Sequence, residues 1–259
     1  MSQERTDRNT PSVERRPPHP MWLALLAGLA VLLVAFLPAL WTMWRTPPAP
    51  SGGAGADAAD APWGVQTPAA GVSRVFGLPL PGATLADAQA RWGAELQLAL
   101  MASRGQAPVL EASVERATLG GVVGRLIFSA DAAPEDLRRW REASAKEVPI
   151  SADTRQVTLR ADDAAAALRA PLVAIGFIPA AQLDAATLRQ RFGAPAEVRR
   201  EGEAVEHWLY PDRGLAILLD PKGRELLQYV APADFERRLR APLLSAPGAA
   251  SAPAAGPPG

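Results

Sequence analysis

The sequence of 259 residues carries 27 basic and 27 acidic side chains, so its formal net charge is zero. This balance argues against a nucleic-acid-binding protein, because such proteins need a dense basic surface. The sequence contains no cysteine, which excludes disulfides, thiolate nucleophiles and cysteine-ligated metal sites.

The first element in chain order is an uncharged apolar run over residues 21–44, which follows a polar tail of residues 1–20. A helix over residues 22–44 of this run is roughly 34 Å long at 1.5 Å per residue, enough to cross a hydrocarbon core of about 30 Å. Trp22 lies near one end of the run, and Trp41 and Trp44 lie near the other, as aromatic residues do at membrane interfaces. The run therefore predicts a single transmembrane helix behind a disordered cytoplasmic tail.

The basic residues on either side of this run predict its orientation. Several arginines precede the run, whereas only Arg45 follows it closely before Arg74. The positive-inside rule then places the N-terminus in the cytoplasm and the larger part of the chain outside it. A cleaved signal peptide is the alternative, but its apolar core has about 7–15 residues and ends at small residues. We therefore expect an uncleaved signal anchor in a bacterial inner (plasma) membrane and a periplasmic C-terminal region.

Two segments of low complexity flank the part of the chain that can fold. Residues 45–71 are rich in Pro, Ala and Gly and predict an extended linker. Residues 245–259 have a similar composition and predict a disordered tail. Between them we expect a first α+β subdomain over residues 72–174 and a second over residues 175–244.

An internal similarity supports this division, because residues 75–94 and 175–194 resemble each other at an offset of 100 positions. In each copy an apolar segment ends near a proline, and a capping residue, Thr84 or Asp184, precedes a short helix with one apolar stripe. A glycine after the last aromatic residue suits the end of such a helix. Chance similarity in an alanine-rich chain is the alternative explanation.

Short apolar runs separated by turns that begin with Pro and end with Gly predict antiparallel strands elsewhere. Strands are predicted over residues 96–100, 109–116, 125–130, 155–159, 172–178, 197–201, 204–210, 215–220 and 224–230. Further helices are predicted over residues 134–146, 162–168 and 233–240. This mixture lacks regular alternation of strand and helix, so we predict an α+β fold with helices on one face of an antiparallel sheet, possibly as two related repeats.

The second copy contains a longer pattern of apolar, turn and aromatic residues. It comprises Leu188, Phe192, Gly193, Pro195, Trp208, Leu209, Tyr210, Pro211, Leu215, Ile217, Leu219, Asp220 and Gly223. This pattern resembles the SmpA/OmlA family, which includes the small lipoprotein of the outer-membrane barrel assembly machine. The resemblance is best over residues 175–232, and it implies two short helices on a three-stranded antiparallel sheet and a non-catalytic, protein-binding role in the envelope. Family members are anchored by a lipidated cysteine that this chain lacks, so the resemblance implies a similar module on a different anchor.

Few residues suggest a binding or catalytic site. Trp208 and Tyr210 share one face of a predicted strand. They form either a core pair or, together with Arg213, a partner-binding surface. The second alternative is considered because aromatic residues and arginine concentrate at interface hot spots. His19 lies in the predicted tail, and His207 has no second histidine near it in the sequence. We therefore predict no metal site, no cofactor and no catalytic residue.

The sequence as a whole predicts a single-pass envelope protein whose periplasmic α+β region is a non-catalytic protein-interaction or assembly module. Its expected partners are the membrane and another envelope protein, not nucleic acid. A periplasmic enzyme that uses scattered carboxylates and arginines is one alternative, and a deep pocket where these groups converge would favour it. A domain that binds a lipid or small molecule is the other, and an apolar cavity would favour it.

Overall fold

The computed structural model describes residues 57–144, 146–245 and 249–252, and for residues 249–252 it describes the backbone only. The predicted tail, the predicted transmembrane helix and residues 45–56 of the predicted linker lie outside the described residues. None of the helices within the described ranges has the length and apolar character of a membrane span.

The described residues form strands and short helices in an irregular order. The strands are β1 Gln66–Ala69, β2 Val72–Val75, β3 Leu78–Leu80, β4 Gln97–Ser103, β5 Val109–Leu119, β6 Val122–Ala130, β7 Lys146–Pro149, β8 Thr154–Thr158, β9 Leu172–Pro179, β10 Glu197–Glu201, β11 Val205–Tyr210, β12 Leu215–Leu219, β13 Leu226–Tyr229 and β14 Ala249–Ala252. The α-helices are α1 Asp57–Asp60, α2 Leu85–Trp92, α3 Pro134–Glu142, α4 Ala161–Ala167, α5 Ala185–Phe192 and α6 Ala241–Ser245. Single turns of 3₁₀-helix lie at Gly93–Glu95, Pro211–Arg213 and Pro232–Asp234, and a π-helical turn at Glu236–Arg240 precedes α6.

Two antiparallel sheets organise these elements. The main sheet has 11 strands in the order β14-β10-β11-β12-β13-β9-β6-β5-β4-β8-β7, and the small sheet has the order β1-β2-β3. Neighbouring strands run antiparallel throughout both sheets. The predicted α+β class with antiparallel sheet is therefore confirmed.

Strand β9 joins the two halves of the main sheet. It pairs with β6 of the first half through Phe128↔Ile175 and with β13 of the second half through Leu227↔Phe177. The predicted boundary between residues 174 and 175 falls inside this strand. The two predicted subdomains thus share one continuous sheet, because β9 uses both of its backbone edges.

The two copies found in the sequence form helices with the same bounds at the offset of 100. The Thr84 side chain accepts a hydrogen bond from the Asp87 amide at 3.4 Å, and Asp184 accepts one from the Thr187 amide at 2.6 Å. The next strands begin at residues 97 and 197. The copies differ before the helix, because β3 belongs to the small sheet whereas β9 belongs to the main sheet.

The principal core lies between the main sheet, the helices and the small sheet. Phe76, which follows β2, packs edge-on against Phe177 of β9 and Tyr229 of β13, with ring centroids 6.0 and 5.4 Å apart. Leu85 and Ala88 of α2 and Leu188 of α5 are buried in the same core. The apolar stripes predicted for the two helices therefore face the sheet.

The C-terminal helical segment lies on the opposite face of the main sheet. Phe235 and Leu239 pack there in a second core with Leu209, Ala216 and Val230. The expectation that helices cover only one face is thus incomplete. Leu209 alternates with Trp208 and Tyr210 along β11 and so points away from the principal core, and this apolar side chain is shielded from water by the C-terminal segment.

Both segments predicted to be irregular contain secondary structure. In the predicted linker, residues 57–71 form α1 and β1, and Trp63 packs edge-on against Phe192 with ring centroids 6.5 Å apart. The Tyr229 hydroxyl also donates a hydrogen bond to the Pro62 carbonyl at 2.7 Å. In the predicted tail, β14 pairs with β10. Residues 57–71 therefore belong to the folded region and not to the predicted linker, because Trp63 joins the core.

Candidate functional site: an arginine–aromatic cluster

The aromatic pair predicted from the sequence lies on β11, beneath helix α5. Trp208 and Tyr210 point to the same face of the strand, as expected, and both belong to the principal core. Trp208 is 0% exposed and Tyr210 is 5% exposed. These two rings therefore form a core pair, and they offer little surface of their own to a partner.

Tyr210 and Arg213 hold the C-terminal end of α5. The Tyr210 hydroxyl donates to the Gly193 carbonyl at 3.0 Å, and Nη1 of Arg213 donates to the Phe192 carbonyl at 2.7 Å. Carbonyls at the end of a helix have no partner within the helix. Burial raises the pKa of Tyr210 to about 12, against the opposing effect of Arg213 and Arg189, so the phenol stays protonated and able to donate.

Three arginines lie over aromatic rings at this end of the domain. The guanidinium carbon of Arg189 lies 4.5 Å from the Trp208 ring centre, that of Arg191 lies 4.6 Å from the Trp63 ring centre, and that of Arg213 lies 5.7 Å from the Tyr210 ring centre. These distances are those of cation–π contacts. We call this group, Trp63, Arg189, Arg191, Trp208, Tyr210 and Arg213, the arginine–aromatic cluster.

Arg189 and Arg191 form the exposed part of the arginine–aromatic cluster. Both are solvent-exposed, whereas Arg213 is half-buried. Within the described part of the chain, neither Arg189 nor Arg191 makes an ion pair with a carboxylate. A guanidinium has five N–H donors, and an exposed guanidinium in a cation–π contact can still bind a carboxylate or phosphate in a bidentate manner. The cluster can therefore bind an anionic group.

The sequence pointed to part of this cluster and missed the rest. Arg189 and Arg191 flank the apolar stripe of α5, so their position on its outer side follows from the helical period. Trp63 could not be placed in the same way, because its segment resembles a linker. The predicted membrane-interface residues Trp22, Trp41 and Trp44 lie outside the described residues, as does His19.

His207 is a buried histidine on the opposite face of β11. Its Nε2 lies 3.1 Å from a carboxylate oxygen of Glu201, and it is 5% exposed. Burial lowers the pKa of His207, and the hydrogen bond with Glu201 opposes this effect. Among the residues described here, no group of three or more histidines and carboxylates is placed to hold a metal ion.

A second concave region, which we call the Glu111 pocket, lies on the face of β4, β5 and β6 that points away from the principal core. Its volume is about 180 Å³, and Glu111, Glu115, Arg125, Gln97 and Gln156 supply its polar lining. Glu115 and Arg125 form an ion pair at 3.1 Å. Burial raises the pKa of Glu111 to about 7, although nearby Arg125 opposes the shift. This carboxyl group can therefore change its charge near neutral pH.

A wider groove of about 600 Å³ lies between helix α3 and the turn that joins β4 to β5. Pro108, Pro134 and Leu137 give it an apolar floor, and Arg141 pairs with Glu147 at its rim at 3.2 Å. Arg138 and Glu142 also line the groove, so it carries two charges of each sign. This mixture makes the groove less specific for an anionic group than the arginine–aromatic cluster.

Comparison of the chain with protein-family models, with curated proteins and with solved structures gave no match. The resemblance to the SmpA/OmlA family therefore stays a prediction from the sequence motif. The function of the protein is therefore inferred from the geometry of its sites.

Proposed function

We propose that this protein is a single-pass inner-membrane protein whose periplasmic α+β domain binds another envelope protein through the arginine–aromatic cluster and catalyses no reaction. The membrane location is supported by the apolar run of residues 21–44 and the arginines that precede it. The single observation that carries the binding role is the pair of exposed arginines, Arg189 and Arg191, which lie over aromatic rings and have no acidic partner among the described residues.

The cation–π contacts make these arginines suitable for recognition. An arginine on a free surface loses rotamer freedom when a partner binds, at a cost of about 0.5–1.5 kcal/mol per side chain. A guanidinium already held over Trp208 or Trp63 has lost part of that freedom before binding. Arginine and aromatic residues also dominate interface hot spots. A partner segment with exposed Asp or Glu side chains is complementary to this surface.

The corresponding position in the first copy shows the contrast. Arg91, which matches Arg191 at the offset of 100, makes an ion pair with Asp60 at 2.6 Å. Its charge is therefore paired within the domain, while Arg191 makes no ion pair with any residue that the structure describes. The matching helices, caps and strand starts support an origin of the two halves as related repeats. The difference at this position supports a binding role for the second repeat, which is also the one that resembles the SmpA/OmlA motif.

Crosslinking in membranes of the source bacterium tests the binding role. The full-length protein is crosslinked mildly and purified, captured proteins are identified by mass spectrometry, and each is verified by reciprocal capture. The double variant R189E/R191E is expected to lose a partner that the wild type captures. The variant R138E/R155E makes the same charge change at exposed arginines elsewhere and should retain that partner. Capture of the same proteins by R189E/R191E and the wild type contradicts the proposal.

Labelling of single cysteines tests the orientation separately. Because the natural sequence has no cysteine, the variants S2C and A152C each introduce one unique thiol. A membrane-impermeant maleimide added to cells with a permeable outer membrane should label A152C and leave S2C unlabelled until the inner membrane is disrupted. The opposite labelling pattern contradicts a periplasmic domain, whatever the crosslinking result.

A further inference from the structure

The Glu111 pocket is formed by strict alternation along β5. Leu110, Ala112 and Val114 point into the principal core, so Glu111 and Ser113 point to the opposite face. In the sheet, Glu111 and Ser113 are paired with residues of β4 on one side and with residues of β6 on the other. The C-terminal helical segment covers the second half of this face and leaves the pocket in the first half open.

A β-bulge marks one end of the pocket. The pairing of β5 with β6 shifts register between Val114 and Ala117, so that Glu115 and Arg116 lie in the irregular stretch. Bulges redirect side chains and are frequent beside functional sites. Here the bulge brings the Glu115 carboxylate to within 3.1 Å of Arg125 at the pocket wall.

The pocket contains one carboxylate in excess of its cation. The charged residues in its lining are Glu111 and Glu115 of β5 and Arg125 of β6, while β4 and β8 contribute the neutral side chains Gln97 and Gln156. Glu115 is paired with Arg125. Within the described residues, the Glu111 carboxyl group makes no hydrogen bond or ion pair, although the charge of nearby Arg125 favours its ionised form. A half-buried carboxylate that makes no hydrogen bond or ion pair is costly in its charged form, and a cation of suitable size would lower that cost.

The apolar residues and the volume of the Glu111 pocket indicate what the cation is attached to. Met101, Ile127 and Ile150 give the pocket an apolar wall, and a volume of about 180 Å³ admits only a few heavy atoms. We propose that the Glu111 pocket binds a primary ammonium group on a short aliphatic stem, with the Glu111 carboxylate as its counter-ion. A free alkylamine and the side chain of a lysine in a bound peptide both have this chemistry.

The affinity should depend on pH in a defined direction. The ammonium stays charged below about pH 10, whereas Glu111, with its pKa of about 7, changes from mostly neutral at pH 6 to mostly ionised at pH 8. The ionised fraction rises from roughly a tenth to roughly nine tenths over this interval. The apparent affinity for an alkylammonium should therefore be about tenfold higher at pH 8 than at pH 6.

Saturation-transfer difference NMR on the full-length protein in detergent micelles tests the proposal, with empty micelles as background. The probes are n-butylammonium, the neutral isostere 1-butanol, and a capped Ala-Lys-Ala tripeptide with its acetyl-lysine analogue. We expect saturable binding of butylammonium and weaker binding of butanol. Binding of the lysine tripeptide but not of butylammonium also supports the proposal and identifies a peptide side chain as the source of the ammonium.

Two variants locate the effect. E111Q keeps the shape of the side chain and removes its charge, so it should lower the affinity for butylammonium about tenfold, as expected for loss of a charge-assisted hydrogen bond. E142Q makes the same change at an exposed carboxylate outside the pocket and should bind as the wild type does. The proposal is overturned if butanol and butylammonium bind equally, if E111Q binds butylammonium as the wild type does, or if neither cationic probe binds saturably. Measuring butylammonium binding by the wild type between pH 6 and pH 8 tests the role of the Glu111 charge without a substitution.

Discussion

The hydroxyl of Tyr210 donates a hydrogen bond to the carbonyl of Gly193, 17 residues earlier in the chain and 3.0 Å away. Gly193 follows α5 and adopts a φ of 78°, a conformation that favours glycine. The helix end is therefore fixed both by its own backbone and by a side chain from β11. Since Arg189 and Arg191 lie on the last turn of α5, this hydrogen bond also helps to position the exposed arginines.

Substitution of Tyr210 by phenylalanine tests this support. The ring stays in place, but the Gly193 carbonyl loses its donor, so the free energy of unfolding should fall by about 1 kcal/mol. Urea unfolding of the full-length protein, followed by tryptophan fluorescence, measures the change. Q190A, at an exposed position of the same helix, is the control. An unchanged unfolding midpoint for Y210F shows that the hydrogen bond adds nothing to stability.

The raised pKa of Glu111 predicts a specific dependence of stability on pH. The carboxyl group binds its proton more tightly in the folded protein, where its pKa is about 7, than in the unfolded chain, where it is near 4.5. Between these values the folded state holds more protons, so stability falls as the pH rises from about 5 to 8. E111Q should therefore match the wild type near pH 4, below the unfolded pKa, and exceed its unfolding free energy by up to about 3 kcal/mol near pH 8. A difference between the two proteins that is constant with pH contradicts the shift.

The C-terminal cover of the sheet can be tested at Phe235. This side chain is 2% exposed and packs against Leu209, Ala216 and Val230. F235A should lower the free energy of unfolding by about 3–5 kcal/mol, the usual cost of removing a buried aromatic ring. L244A removes an aliphatic side chain that is 46% exposed in the same segment and should have little effect. If both variants unfold at the wild-type urea concentration, the segment does not stabilise the sheet.

The cap of α2 provides a local prediction. Thr84 and Asp87 form a reciprocal capping box, in which the Thr84 amide also donates to the Asp87 carboxylate at 2.7 Å. T84A should lower the free energy of unfolding by about 1 kcal/mol because one backbone donor loses its acceptor. Thermal unfolding of T84A beside Q89A, an exposed change in the same helix, measures the effect. Equal melting temperatures for the two variants count against a stabilising cap.

Local patterns in the sequence predicted most elements well. The apolar stripe, capping aspartate and terminal glycine predicted α5, and the structure places that helix at Ala185–Phe192. The strand predicted over residues 197–201 has the same bounds in the structure. Such elements depend on residues close in sequence, and this is the information that periodicity and caps contain.

The sites were less predictable because they depend on contacts between distant residues. Trp63 and Arg191 meet only after the segment before β1 packs on α5. The Glu111 pocket requires the order β6-β5-β4-β8, and no local pattern specifies that β8 pairs with β4. The helix predicted over residues 134–146 ends at Glu142 for a similar reason, since Lys146–Pro149 pairs with β8 instead.

The central position of β9 has a consequence for any attempt to divide the protein. Cutting the chain at the apparent repeat boundary would sever β9 itself, and cutting beside it would leave a long row of backbone donors and acceptors without partners in the middle of an apolar surface. Such a fragment presents the kind of strand edge at which chains aggregate. The two halves are therefore expected to unfold in a single cooperative transition. Even if they arose by duplication, neither copy is expected to fold when it is separated from the other.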